Sequence, residues 1–243
     1  MRALLLAALL GFAPGLALAQ AASPPAAAPT DAAGAATTAP AGLAPRPGID
    51  YEELPIPITP YADDRGRIEV AEVFSYACIH CAHFQPYVTA WRKSLPKDVA
   101  WQYVPAVFGA VWDNFARAYF AAERLGVLAT THDRVFQSVH QDHAISTGSL
   151  EDIADLYASY GVDRAKFHAA MNATDMDGRL QAARQFALRA GVSGTPTIVV
   201  AGRYRVQSTR DRGFEGMLAT VDALIARERA ARAAAAKSAP ATR

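Results

Sequence analysis

Cysteine is almost missing. The 243-residue chain has two, and both fall in one short stretch, "SYACIHCAHF", at 75 to 84. That excludes a small scaffold held by several disulfides, which needs many more. A surplus charge is missing too: 24 Lys and Arg face 23 Asp and Glu, mixed along the chain, for a net +1. Nucleic-acid binders usually carry a basic face, and this chain has none to offer. Acidic substrates and anionic membrane surfaces gain nothing from it either. After residue 19 no apolar run approaches the about 20 residues a membrane-spanning helix needs. There is no internal repeat.

What is present suits a globular protein. Hydrophobic residues make up 51% and charged residues 19%, enough to bury a sizeable core. The length fits one domain of moderate size, or a domain carrying an insertion. The opening "MRALLLAALLGFAPGLALAQ" reads as an export signal over residues 1–19. Arg2 starts it, residues 3 to 12 are apolar, and Ala17-Leu18-Ala19 is a small-x-small cleavage site. The alternative is an uncleaved membrane anchor, although Pro14 interrupts it. The mature protein is expected to work outside the cytosol, where disulfides persist.

Residues 20–47 are nearly all Ala, Pro, Thr, Ser and Gly. Such a segment cannot offset its ordering entropy by burial and is expected to be a disordered linker. The Ala-rich end, 231–243, reads as a fraying helix or loose tail. Between them, "RIEVAEVFSY" at 67 to 76 is the first strong strand. A helix follows with Phe84, Tyr87, Val88 and Trp91 on one face, aromatics that read as core. "DVAWQYVPAVF", 98 to 108, is a second strand. From about 112 to 189 the pattern is helical. Phe115, Ala118, Ala122 and Leu125 share one face; Leu150, Ile153, Tyr157 and Tyr160 share another, with Ser149 as N-cap and Gly161 as stop. Leu180, Ala183, Ala187 and Ala190 mark a third helix. "TPTIVVAGRYRV" reads as two short strands turning at Ala201-Gly202, and a last helix carries Phe214, Met217, Leu218, Val221, Leu224 and Ile225. This order points to an α/β core with a helical insertion.

The cysteine stretch allows several chemistries. As a brace, the pair closes a four-residue loop, worth about 2 kcal/mol, against about 4.7 for a hundred-residue loop. A staple would gain more from distant cysteines. Haem attachment needs histidine straight after the second cysteine, where Ala82 stands. Zinc needs four ligands; His140 and His143 could add a second pair, but read better as solvated helix-surface residues. Copper held by the thiolates and His80 or His83 remains chemically open. A reactive pair has local physics behind it. Cys78 ends a strand and opens a helix, so its sulfur meets unpaired N–H groups and the positive end of the dipole, and such placement lowers a thiol pKa.

"EVFSYACIHC" followed by an aromatic-lined helix, and "GVSGTPTIVV" far downstream, together resemble the periplasmic thiol-disulfide oxidoreductases of the DsbA type. The resemblance spans about 48 to 230. It implies a thioredoxin-like fold with an inserted helical domain: core at 48–111 and 181–230, insertion at 112–180. By that resemblance Cys78 is the exposed nucleophile, Cys81 its buried partner in a redox-active disulfide, and His80 the thiolate-stabilising histidine. Thr195-Pro196 matches the family's cis-proline loop, whose backbone would sit beside Cys78 and pair with an extended substrate. Glu72, on the strand face with Ile68, Val70, Phe74 and Tyr76, stands where relatives carry an acid below the buried cysteine. There its pKa would be raised, and it would relay the proton of Cys81. His83 matches no family role. The implied function is oxidation of exported cysteine-containing proteins, without a cofactor, with a DsbB-type quinone-linked membrane protein as reoxidant. A reductase or isomerase on the same fold, or a copper or zinc carrier using the same cysteines, are the alternatives. Three departures bear on redox strength. Ile79 replaces the family's usual proline, Pro86 resembles the kink of thioredoxins, and Gln102 stands where some relatives carry a lysine paired with the acid.

Overall fold

The computed structural model describes residues 44–62 and 65–238. The expected signal and residues 20–43 of the expected linker lie outside them. Residues 44–47 of that linker are instead tied down. Arg46 donates to Asp50 at 2.8 Å and to Asp211 at 2.8 Å, and Arg212 meets the same Asp50 at 2.9 Å.

A five-stranded sheet runs in the order β1-β5-β4-β2-β3. Its strands are β1 (Tyr51–Glu53), β2 (Ile68–Phe74), β3 (Val99–Pro105), β4 (Thr197–Val200) and β5 (Tyr204–Val206). β2 and β3 are parallel and the other pairs antiparallel. Helix α1 (Ile79–Arg92) joins β2 to β3, as a parallel pair requires a crossover. Between β3 and β4 stand α2 (Val111–Arg124), α3 (Leu128–His140), α4 (Leu150–Ser159), α5 (Arg164–Met171) and α6 (Met176–Arg189). The sequence pattern had marked three of these five.

All seven residues of β2 are buried, because β3 and β4 flank it and both its faces are covered. One apolar cluster joins Ile68 and Val70 to Phe84 and Val88 of α1 and to Leu218, Val221 and Ile225 of the last helix. The other joins Ala71, Val73 and Phe74 to the five helices through Phe115, Phe136, Tyr157, Phe167 and Phe186. The face of β2 expected to be less apolar is therefore buried as well. Glu69 there accepts the N–H groups of Tyr61 and Ala62 at 2.9 and 3.0 Å.

The β4–β5 turn falls where expected. Ala201 and Gly202 both have positive φ, 53° and 61°, and a Cβ on Gly202 would strike the Ile58 carbonyl. Ser149 caps α4, its hydroxyl accepting the Asp152 N–H at 3.1 Å. The last helix, α7 (Gly213–Ser238), runs on past 230 through alanine and arginine, the better helix formers. Arg229 pairs with Asp98 at 2.7 Å, and Arg232 donates to the Gly66 carbonyl at 2.6 Å.

Candidate active site

β2 ends at Phe74, a tight turn follows, and α1 begins at Ile79. In the turn, Cys78 N–H donates to the Ser75 carbonyl at 3.0 Å and Ala77 N–H to the Ser75 hydroxyl at 3.1 Å. Cys78 itself is the N-cap of α1: its sulfur accepts the Cys81 N–H at 3.4 Å. The cap position thus turns a backbone requirement, an unpaired N–H at a helix start, into thiolate stabilisation.

Both cysteines are free thiols, so the geometry is that of the dithiol form. Hydrogen bonding from the Cys81 thiol is the largest cause that brings the Cys78 pKa down to about 5. Burial opposes it, while Thr195 and the backbone N–H groups of Cys81 and His80 add to it. Cys81 is pushed well up, first by burial. One thiol is prepared to ionise and its neighbour to keep its proton.

Cys78 is less open than the resemblance implied. It is 8% exposed, against 0% for Cys81, because the Thr195-Pro196 loop lies over it. The Thr195 carbonyl is 3.3 Å from the Cys78 sulfur, and the Thr195-Pro196 bond is cis. Ile79 and His80 are exposed beside the sulfur. The group of His80 that meets the thiolate here is its backbone N–H. His83 is exposed on α1, and so is Pro86.

Glu72 is 1% exposed, and neither carboxylate oxygen has a hydrogen-bond partner. Desolvation pushes its pKa up to about 8, with Arg92 pulling it down and Cys78 pushing it up. Its charge also raises Cys81. Gln102 is not its neighbour. Gln102 pairs with Ala71, whereas Tyr103 is opposite Glu72, and paired residues share a face. The polar groups around the acid come from elsewhere. Tyr103 accepts from Gln85 and Arg92, each at 3.0 Å, and Gln85 also donates to Asp133 at 2.9 Å. Gln85, Arg92, Tyr103, His132 and Asp133 line a cavity of about 490 Å³. Gln85 was missed, yet it was visible as the one polar residue on the buried stripe Cys81, Phe84, Gln85, Val88.

His140 is also not the solvated residue expected. Its Nε2 donates to the Tyr76 carbonyl at 2.8 Å. Among the described residues, no group of three or more His, Cys, Asp or Glu could hold a metal ion.

A CxxC pair capping a helix, opposite a cis-proline loop on a mixed sheet, defines a dithiol–disulfide redox protein of thioredoxin-like fold. A family model described as Thioredoxin matches residues 65–223. The thiol:disulfide interchange protein DsbA of Pseudomonas aeruginosa is 37% identical over 186 residues, covering 76% of this chain and 86% of that one. Its counterpart from Azotobacter vinelandii is 35% identical over 184 residues, covering 76% and 85%. The crystal structure of oxidoreductase DsbA from Xylella fastidiosa superposes with a TM-score of 0.70 at 45% identity, covering 74% and 96%. The chain belongs to the DsbA family and is a thiol:disulfide oxidoreductase.

Proposed function

We propose that this protein works in the periplasm as a dithiol oxidase, introducing disulfides into exported cysteine-containing proteins through Cys78 and Cys81. The opposed shifts of the two thiols carry this reading: Cys78 falls to about 5 while Cys81 rises. A substrate thiolate attacks the Cys78 sulfur of the disulfide, and the Cys78–Cys81 bond breaks. Cys81 leaves as a thiolate and takes up a proton; Glu72, buried and near enough for its charge to raise Cys81, is the proposed donor. A second substrate thiolate then attacks the substrate sulfur of the mixed disulfide, and Cys78 leaves as the stabilised thiolate. The substrate is oxidised by two electrons and the protein reduced.

The Thr195 carbonyl, which faces the Cys78 sulfur, would pair with the N–H of an extended substrate segment crossing that loop. His80 would stabilise the thiolate through its imidazole in addition to its N–H. A DsbB-type, quinone-linked membrane protein would restore the disulfide. Stabilising the thiolate favours the reduced form, which makes the disulfide a stronger oxidant.

The test uses the purified disulfide form and a reduced, unfolded two-cysteine protein. Wild type should convert the substrate to its disulfide while losing its own, one for one. Cys81→Ala, given the oxidised substrate instead, should trap it as a Cys78 mixed disulfide, because the Cys78 thiolate opens the substrate disulfide and no Cys81 is there to resolve it. Cys78→Ala should neither oxidise the reduced substrate nor trap the oxidised one. Full activity of Cys78→Ala would overturn the assignment. His80→Ala should raise the Cys78 midpoint, and an unchanged midpoint would confine His80 to its backbone.

A further inference from the structure

Tyr76, two residues before Cys78, is held by one stripe of helix α3. His132, Phe136 and His140 stand at i, i+4 and i+8 and so lie on one helix face. His132 Nδ1 shares a hydrogen bond with the Tyr76 hydroxyl at 2.7 Å. The Phe136 ring meets the Tyr76 ring edge-on at 5.0 Å. His140 Nε2–H donates to the Tyr76 carbonyl at 2.8 Å. Burial holds His132 neutral, its pKa lowered to about 3, and the His140 bond needs only a proton on Nε2, present in the cation and one neutral tautomer. Neither histidine acts in the exchange steps above.

The Tyr76 carbonyl belongs to the peptide between Tyr76 and Ala77, inside the turn that Cys78 closes by donating to Ser75 at 3.0 Å. Rotating that peptide would swing the N-cap residue, and with it the sulfur that accepts the Cys81 N–H and faces Thr195. We propose that His140 is a positioning residue for the redox centre: through the Tyr76 carbonyl it fixes the turn in its dithiol geometry, so that a helix between β3 and β4 helps set the disulfide's reduction equilibrium. A disulfide sulfur has no S–H to donate to the Thr195 carbonyl and no thiolate charge to attract the Cys81 N–H, so both contacts weaken on oxidation. The turn and its clamp are therefore satisfied best in the reduced form.

The proposal rests on Cys78 and Cys81 being the redox couple. The test is the equilibrium of wild type, His140→Ala and His140→Gln with glutathione, with melting temperatures of both redox forms. A lost neutral hydrogen bond expressed in one form alone corresponds to a roughly three- to tenfold change. His140→Ala should therefore be harder to reduce by that factor, a potential lower by roughly 15–30 mV. His140→Gln, which keeps a donor, should recover most of it, and the alanine variant should lose more melting temperature as dithiol than as disulfide. An unchanged equilibrium with equal losses in both forms would make His140 a plain structural contact and overturn the proposal. Should His140→Ala fail to fold, the imidazole ¹⁵N resonances of His140 in unmodified protein decide: they should differ between the redox forms, and identical resonances overturn it. A wild type that does not exchange with glutathione would defeat the redox-couple reading instead.

Discussion

Replacing Glu72 with glutamine should stabilise the protein at neutral pH and change little in acid. The carboxyl is buried with both oxygens unpartnered. Folded, it keeps its proton up to about 8; the unfolded chain releases it at the ordinary 4.5. Between these values the native state binds more protons than the unfolded one, so stability falls as pH rises. The stabilisation held by the protonated acid is full below 4.5 and gone above about 8. At 1.36 kcal/mol per pH unit, the loss reaches about 3 kcal/mol at pH 7. Glutamine has nearly the same shape and cannot ionise, so its stability should stay flat over that range. The disulfide form is the one to use, because Cys78 and Cys81 are then silent. Urea unfolding of both proteins across the range should give curves that meet near pH 4.5 and separate by about 3 kcal/mol at pH 7. A difference that does not vary with pH would mean that Glu72 is not held neutral by burial, and the reasoning would fail.

Three further outcomes follow from local geometry. The thiolate absorbance of the reduced protein should rise with a midpoint of about 5, and because that pKa is depressed, the dithiol form should lose stability relative to the disulfide form as pH falls through it. A midpoint near 9 would remove the basis of the proposed oxidase chemistry. Ser149→Ala removes the hydroxyl that accepts the Asp152 N–H and should cost about 1 kcal/mol; thermal unfolding reads it directly, and no loss would mean water replaces the cap. Gly202→Ala places a Cβ against the Ile58 carbonyl at a positive φ and should cost more than about 1 kcal/mol, whereas an unchanged melting temperature would show the turn can shift.

The parts of this molecule that could be read from sequence are those where one segment decides its own state. β2 and α1 meet at the cysteines with unmistakable periodicity, and Ala201-Gly202 reads as a turn because a glycine between two short apolar strands takes positive φ freely. β1 escaped because three residues at a sheet edge carry no period; partnership with β5 defines them. α3 and α5 merged with their neighbours, since polar residues such as Thr130 and Asp133 blur the stripe that packing makes plain. The extent of α7 was decided by anchors on Asp98 and Gly66, distant in sequence. In the site the pattern holds as well. The N-cap position of Cys78 is local and legible. Its cover by Thr195, the pairing of Glu72 with Tyr103 rather than Gln102, and the bond from His140 to Tyr76 all join residues far apart in the chain. Register and tertiary contact settle these, and alternation along one strand does not contain them.

The central claim is that this pair is poised to give its disulfide away. The most direct measurement is the equilibrium of Cys78–Cys81 with glutathione buffers of known ratio, followed by quantifying the two redox forms. The stabilised Cys78 thiolate predicts an oxidising potential, near roughly −120 mV. A value near roughly −270 mV would mean that Ile79 and its neighbours have moved the balance to the disulfide, and the protein would be a reductase on the same fold.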